Sequence, residues 1–216
     1  MTWLTQNWDT VWQATVAHLM LALPAIVAAF LISLPVAWIA HRYGWSRFAL
    51  VTLGSLIYAI PSLPLLIVLP LVLGTTVRDQ LNVVVALSLY GFALMIRAGT
   101  DALDAVPAAA VHAAEAMGQS APRRFFTVEL PLAGPGLLAG LRVVAVSTIA
   151  LVSVSGVLGI DSLGMLFVDG FQRGILAEVI AGIAATVVVA VVLDAALVVC
   201  GRILLPWASL RAGGAR

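Results

Sequence analysis

The polar residues that could carry chemistry are concentrated between positions 105 and 131, in the stretch AVPAAAVHAAEAMGQSAPRRFFTVELP. It combines one imidazole, two carboxylates and two guanidinium groups, which can form ion pairs and hydrogen bonds. The three histidines, His18, His41 and His112, fall in different regions. No histidine-rich metal set and no Ser/His/Asp constellation is therefore recognisable, and we expect neither catalytic residues nor a metal site.

Nucleotide chemistry is also unexpected. A phosphate-binding loop of the G-x-x-x-x-G-K-[ST] type requires a lysine, and all eleven basic residues of the chain are arginines. We therefore expect no cofactor bound by this chain and no ATPase site of its own. The polar stretch is more typical of a contact surface.

The composition of the stretch predicts two short helices separated by a glycine. Residues 105–117 are mostly alanine, the strongest helix former, and Pro107 can occupy the first turn. Gly118 then ends or bends the helix, and a second one begins near Pro122. Its small alanine face would let another protein approach closely, although a long helical loop without a partner is the other interpretation. The second helix carries Arg123, Arg124, Phe125 and Phe126.

The chain around this stretch has the composition of a membrane protein. Hydrophobic residues make up 62% and charged residues 10%, whereas about a quarter of residues are charged in an average protein. We expect the lipid bilayer to be its surroundings. The net charge of +1 forms no basic face, so nucleic acid is not an expected partner.

Five apolar runs approach the length of about 20 residues that crosses a bilayer core. We therefore predict an all-α, polytopic membrane protein in which residues 1–216 form a single transmembrane domain. The polar segment 105–131 lies between the third and fourth helices, and the third run is short. The predicted spans are about 16–40, 48–73, 82–98, 143–160 and 179–205.

The arginines predict an orientation, because basic residues are retained on the cytoplasmic side. Five spans leave only Arg78 and Arg173 on one side. We therefore expect an external N-terminus, a cytoplasmic C-terminus and a cytoplasmic segment at 105–131. The other side carries nine arginines, which are Arg42, Arg47, Arg97, Arg123, Arg124, Arg142, Arg202, Arg211 and Arg216.

Prolines predict an interruption in the second span. Pro61, Pro64 and Pro70 each lack an N–H, so the helix should be kinked or partly unwound within residues 60–71. Such breaks persist in a membrane only where protein or a water-filled cavity satisfies the freed carbonyls. A packing kink and a transport pathway are both consistent with this pattern. The candidate pathway or gate residues here are Tyr58, Pro61, Ser62 and Pro64.

Two ionisable residues fall inside or near apolar runs. We expect Asp194, about two turns before Arg202, to form an ion pair or to point to water. His18 lies close to the outer end of the first run and is expected at the interface. The shortage of other such groups argues against a secondary carrier driven by an ion gradient, which is the alternative from another functional class.

The polar stretch resembles the cytoplasmic motif of bacterial ABC-transporter permease subunits. That motif runs E-A-A, three residues, G, nine residues, I, one residue, L-P. Two positions depart from it, since His112 replaces the glutamate and Val128 the isoleucine. The histidine removes a carboxylate, for which Glu115 could partly substitute. This chain reads His112-Ala113-Ala114, three residues, Gly118, nine residues, Val128, Glu129, Leu130-Pro131.

The resemblance implies a multi-pass protein of the bacterial inner membrane. Its polar segment would be the coupling helix that enters a cleft on a separate ATP-hydrolysing subunit, where ATP and Mg²⁺ bind. It further implies a second permease copy or a paralogue, and an extracytoplasmic substrate-binding protein. The implied coupling residues are Pro107, His112, Ala113, Ala114, Glu115, Gly118, Leu130 and Pro131.

Longer stretches are similar to permeases for osmoprotectants such as glycine betaine, carnitine, choline or proline betaine. They include YAIPSLPLLIVLPLVLG at 58–74 and GIDSLGMLFVDGFQRG at 159–174. The second resembles a gate-proximal loop that faces the binding protein, which implies a gate role for Gly159 and Gly164. Methionine permeases are similar in size and span number and stay the alternative within the family.

Overall fold

Helices account for the regular structure throughout residues 2–207, the part of the chain that the computed structural model describes. Arg211 and Arg216 lie outside the described residues. The helices are α1 Thr2–Gln6, α2 Trp8–Arg42, α3 Gly44–Ala59, α4 Ser62–Leu73, α5 Gln80–Asp104, α6 Ala108–Ala116, α7 Ala121–Arg124, α8 Leu130–Val152, α9 Leu163–Gln172 and α10 Leu176–Leu204. A wide π-type turn, Phe125–Glu129, joins α7 to α8, and a 3₁₀ turn, Ser153–Leu158, follows α8.

Four segments are long and apolar enough to cross a bilayer, and the α3–α4 pair makes a fifth if it is counted as one span. The four are α2, α5, α10 and the continuous helical segment 121–158 that contains α8. The prediction of an all-helical membrane protein with about five spans is confirmed. The apolar run at 143–160 lies in the C-terminal half of the segment that contains α8.

The bundle has two ends, which we call the arginine-rich end and the far end. At the arginine-rich end, residues 41–47, 101–131 and 202–207 meet, and His41 Nδ1 lies 2.6 Å from Asp104 Oδ1. At the far end, residues 2–11, 74–82 and 159–178 meet, and Val11 packs with Leu163. The α3–α4 pair therefore runs from one end to the other despite its bend.

Helix α5 is the centre of the bundle and packs against α2, α3, α4 and α8. Small residues permit these close approaches, as is common between membrane helices. A Cβ on Gly91 would lie 2.6 Å from Ala29 Cβ, and one on Gly140 would lie 2.6 Å from Ala98 Cβ. Helix α10 differs, because only Glu178, Gly182 and Gly201 are buried along it.

Two ionisable residues take positions that the sequence did not indicate. His18 is completely buried inside the bundle, and its Nε2 lies 3.0 Å from the Ile149 carbonyl oxygen on α8. Arg142, counted among the cytoplasmic arginines, lies about 18 Å along α8 from Leu130 at 1.5 Å per residue. Its Nε and Nη2 donate to the two oxygens of Asp194, at 2.6 and 2.7 Å. The expected ion pair of Asp194 is thus with α8.

This pair predicts a rescue experiment. Asp194→Leu should lower the amount of folded protein in the membrane several-fold, because Arg142 is left without its partner in an apolar setting. Arg142→Leu combined with Asp194→Leu should recover most of that loss, since no charge is left unpaired. Membrane abundance by quantitative blotting measures both, with the exposed Asp9→Asn as control. A double variant as poor as the single one would contradict the prediction.

Candidate functional site

Helix α6 projects at the arginine-rich end and forms the first half of the predicted coupling segment. Its run of alanines favours the helix, and Pro107 precedes it as the N-cap with ψ near 124°, one position before the expected first turn. Gly118 ends the segment at φ +76°, a conformation that favours glycine. Its N–H donates to the Glu115 carbonyl at 2.9 Å, and Gln119 N–H donates to Ala114 at 3.1 Å.

One face of α6 packs against the bundle, and its other faces are exposed. Ala114 is 1% exposed, whereas His112, Ala113 and Glu115 are exposed. No heavy atom lies within 4 Å of a Cβ placed on Gly118. The segment is therefore a shelf with free space above its glycine turn, as the composition predicted.

Arg124 links this shelf to the start of α8. Its Nε donates to Glu129 Oε1 at 2.6 Å, its Nη1 donates to Glu115, and Glu129 itself is only 3% exposed. A guanidinium can hold two carboxylates at once because its donors form a rigid fork. Arg124 thus connects α6 to the residue that directly precedes α8. This link was not predicted from the sequence, although Arg123 and Arg124 lie between two glutamates, Glu115 and Glu129.

His112 and Glu115 interact with each other. His112 Nδ1 lies 3.3 Å from Glu115 Oε2. This hydrogen bond, with the neighbouring Arg124 charge as a further contribution, holds the pKa of Glu115 below its ordinary value. Glu115 is consequently ionised at neutral pH and already engaged within the shelf. The first position of the motif is therefore His112, which contacts Glu115 on the same helix.

Leu130 and Pro131 do not join the exposed shelf. They begin α8 directly after the π-type turn, and the Pro131 carbonyl accepts from Trp207 Nε1 at 3.3 Å. Phe125 anchors the turn before them against Trp38, with ring centroids 5.3 Å apart. The motif therefore divides into a largely exposed half at 107–118 and a half that attaches it to the bundle.

The second span is broken at Ile60 and Pro61, where α3 and α4 bend by 102°. Pro64 cannot donate the N–H that would normally bond to the Ile60 carbonyl. The hydroxyl of Tyr90 on α5 donates to that oxygen instead, at 2.6 Å. The predicted interruption is thus present and satisfied by a neighbouring helix, while Pro70 lies inside α4 without breaking it.

The break lies near the middle of the bundle, since Tyr90 is ten residues, or about 15 Å, along α5 from Gln80. Tyr58 packs edge-on against Tyr90 with ring centroids 5.8 Å apart and is 45% exposed. Pro61 and Pro64 are exposed beside it and Ser62 is half-buried. The four candidate pathway residues therefore share one location. Tyr90 was missed as the partner of the break because only the fold brings α5 to Ile60.

Gly159 and Gly164 lie elsewhere, at the far end. Gly159 caps the 3₁₀ turn at φ +73°, and a Cβ on Gly164 would collide with the backbone of Ser153. Both glycines thus have structural reasons for their identity. The structure does not bring them together with Tyr58 and Pro61.

Comparison with known sequences places this arrangement in context. Residues 29–209 match the family described as the binding-protein-dependent transport system inner membrane component. The osmoprotectant import permease protein OsmW of Salmonella typhimurium is 29% identical over 183 residues, which cover 83% of this chain and 85% of that protein. The glycine betaine/carnitine/choline transport system permease protein OpuCD of Bacillus subtilis is 28% identical over 198 residues, covering 89% and 83%.

A solved structure gives the same picture of the fold. The MetNI methionine ABC transporter, in an inward-facing conformation, superposes with a TM-score of 0.76 over 92% of this chain and 96% of the other. Sequence identity across the superposition is 20%, so this likeness concerns the fold alone.

Proposed function

Because the chain belongs to the family of binding-protein-dependent transport system inner membrane components, we propose that it is the permease subunit of an ATP-driven importer for osmoprotectants. The observation that carries this proposal is the exposed shelf of α6 and Gly118, tied by Arg124 to α8. A separate ATP-binding subunit, which holds ATP and Mg²⁺, receives the shelf in a cleft. This chain supplies the membrane pathway.

The difference in charge between the two ends of the bundle supports the proposed orientation. The arginine-rich end faces the cytoplasm, which is supported by Arg42, Arg47 and three further arginines there against Arg78 and Arg173 at the far end. The N-terminus is then outside and the C-terminus inside a bacterial inner membrane. A second permease copy or a paralogue completes the pathway. An extracytoplasmic binding protein delivers substrate to the far end.

The coupling mechanism uses the contacts of Arg124. When two ATP-binding subunits close on ATP, the shelves of two permeases move together. The Glu115–Arg124–Glu129 connection passes that movement to α8, which contacts the central α5. The broken α3–α4 pair, hinged at Ile60 beside Tyr90, is the element that changes the pathway from inward-open to outward-open.

The substrate class rests on the names of the relatives. OsmW is named for osmoprotectants and OpuCD for glycine betaine, carnitine and choline. The methionine transporter resembles this chain in fold at 20% identity, which says nothing about substrate. We therefore favour an osmoprotectant over methionine.

Reconstitution tests the function. The chain is purified with the ATPase that co-purifies with it, placed in proteoliposomes, and supplied with the binding protein and radiolabelled glycine betaine, choline or methionine. We expect uptake that requires ATP, with glycine betaine or choline stimulating ATP hydrolysis. Uptake by the chain alone, driven by an ion gradient without ATP, would replace this proposal with a secondary carrier. Stimulation by methionine alone would assign the other substrate.

A further inference from the structure

A cavity of about 320 Å³ lies beside the shelf, at the arginine-rich end. It opens where the corner between α2 and α3, residues 42–44, faces the residues that precede α8. Arg124 and Glu129, which link the shelf to α8, form one wall of it. The cavity is therefore continuous with the shelf. The remaining lining residues are Trp38, His41, Arg42 and Tyr43.

Arg42 is the lining charge without a counter-charge. Its guanidinium lies near the rings of Trp38 and Tyr43, with its central carbon 6.0 and 5.9 Å from the two centroids. Such cation–π contacts hold the group at the wall without neutralising it. Arg42 is exposed and makes no ion pair with any described residue. The other charged lining groups are paired, His41 with Asp104 at 2.6 Å and Arg124 with Glu129 at 2.6 Å.

The whole arginine-rich end has a surplus of positive charge. Its carboxylates are all engaged within the chain, Asp101 and Asp104 by Arg47, and Glu115 and Glu129 by Arg124. A surface that covers this end therefore meets arginines whose charge is not balanced, and complementary negative charge on that surface favours association. The arginines there that pair with no described residue are Arg42, Arg123 and Arg202.

We propose that the cavity receives a carboxylate side chain of the ATP-binding subunit, which pairs with Arg42 next to the docked shelf. The inference rests on the proposed function and adds a second attachment point to it. A subunit that receives the shelf must approach the wall formed by Arg124 and Glu129, so it also covers the mouth of the cavity. The planar fork of a guanidinium matches a carboxylate, which makes an acidic side chain the complementary group.

Two attachment points on different elements give this contact a role in coupling. The shelf belongs to α6, whereas Arg42 ends α2. A single contact at the shelf would leave the ATP-binding subunit free to rotate about it. A second contact at the α2–α3 corner fixes the orientation, so that closure of the ATP-binding subunits displaces the shelf in one direction.

Cross-linking tests the contact directly, because the chain contains no lysine. Arg42→Lys introduces one side-chain amine, and the variant is purified with its ATP-binding subunit in phosphatidylcholine nanodiscs. A carbodiimide activates a carboxylate, and an amine in contact with it displaces the urea to form an amide. We expect mass spectrometry to find an amide from position 42 to an Asp or Glu of the ATP-binding subunit. Arg202→Lys, at an exposed arginine outside the cavity, is the matched control and should give none.

Charge reversal supplies a second measurement on the same complex. Arg42→Glu should weaken association with the ATP-binding subunit about tenfold at low salt, since an attraction is replaced by a repulsion. The difference from the parent should shrink as salt rises, because ions screen exposed charges. Arg202→Glu should associate like the parent.

Three results would overturn the contact while leaving the import function intact. One is an assembled complex in which the amine at position 42 forms no amide with the ATP-binding subunit. Another is equal cross-linking from positions 42 and 202, which would indicate a general attraction of the arginine-rich end. The third is a defect of Arg42→Glu that appears only when anionic phospholipid is added to the nanodiscs, which would assign the cavity to a lipid headgroup. A parent chain that binds no ATP-binding subunit would instead overturn the import function and this contact with it.

Discussion

Gly118→Asp is expected to abolish ATP-driven uptake while the protein still inserts and folds. The glycine lies in an open turn at φ +76°, and nothing within 4 Å would obstruct a side chain inside this chain. Under the proposed function, a charged side chain there would instead occupy the space that the ATP-binding subunit enters. Truncation or obstruction at the centre of an interface commonly costs 2 kcal/mol or more, so we expect roughly thirtyfold weaker association.

Gly74→Asp is the matched control for this variant. Gly74 also has positive φ, +69°, and open space around it, but it lies at the far end. Both variants carry the same backbone strain and the same charge. Co-purification of the ATP-binding subunit and coupled ATP hydrolysis should be lost only in Gly118→Asp. Coupling retained in Gly118→Asp, or lost equally in both variants, would show that the shelf is not the docking surface.

Tyr90→Phe is expected to destabilise the broken span. The change removes the hydroxyl that donates to the Ile60 carbonyl at 2.6 Å and leaves a backbone acceptor with no replacement, because Pro64 has no N–H. The bond is partly buried and Ile60 is 42% exposed, so we expect the loss to be about 1 kcal/mol, the contribution of a typical hydrogen bond. We therefore expect a lower thermal unfolding midpoint in detergent and faster amide exchange at residues 58–66.

The control for Tyr90→Phe is Tyr43→Phe, which removes a hydroxyl from an exposed ring at the arginine-rich end. That ring lies beside Arg42, with 5.9 Å between the guanidinium carbon and the ring centroid, and this contact does not use the hydroxyl. Unfolding of Tyr43→Phe should match the parent protein. Equal unfolding midpoints and equal amide exchange in the two variants would mean that the break is supported by packing and not by the hydrogen bond.

Hydropathy and local motifs predicted the helical class, the shelf and the break, because each depends on neighbouring residues in the chain. The α-helical start at Leu130 was not visible, since Pro131, Pro135 and Arg142 interrupt the apolar run although they fit within a helix there. The burial of His18 was not visible because its contact, Ile149, lies 131 positions away along the chain.

The burial of Glu178 was not predicted for the same reason. The stretch from Asp161 to Arg173 was expected to be a loop, but Leu163–Gln172 forms α9, and the burial of Glu178 depends on how α10 packs against α9. The hydrophobic periodicity of a sequence does not show which carboxylate becomes buried away from solvent. Charge pairs between distant helices, such as Arg142 with Asp194, are likewise decided only when the helices meet.

Most of the surface of α10 is exposed in the single subunit, and this matters during synthesis of the protein. Among the described helices it leaves the ribosome last, after the other membrane helices have been synthesised. Only Glu178, Gly182 and Gly201 are buried along it, although α10 packs against α8 and α9 and Asp194 is bonded to Arg142. A subunit outside its assembly therefore exposes most of the surface of the helix that is synthesised last.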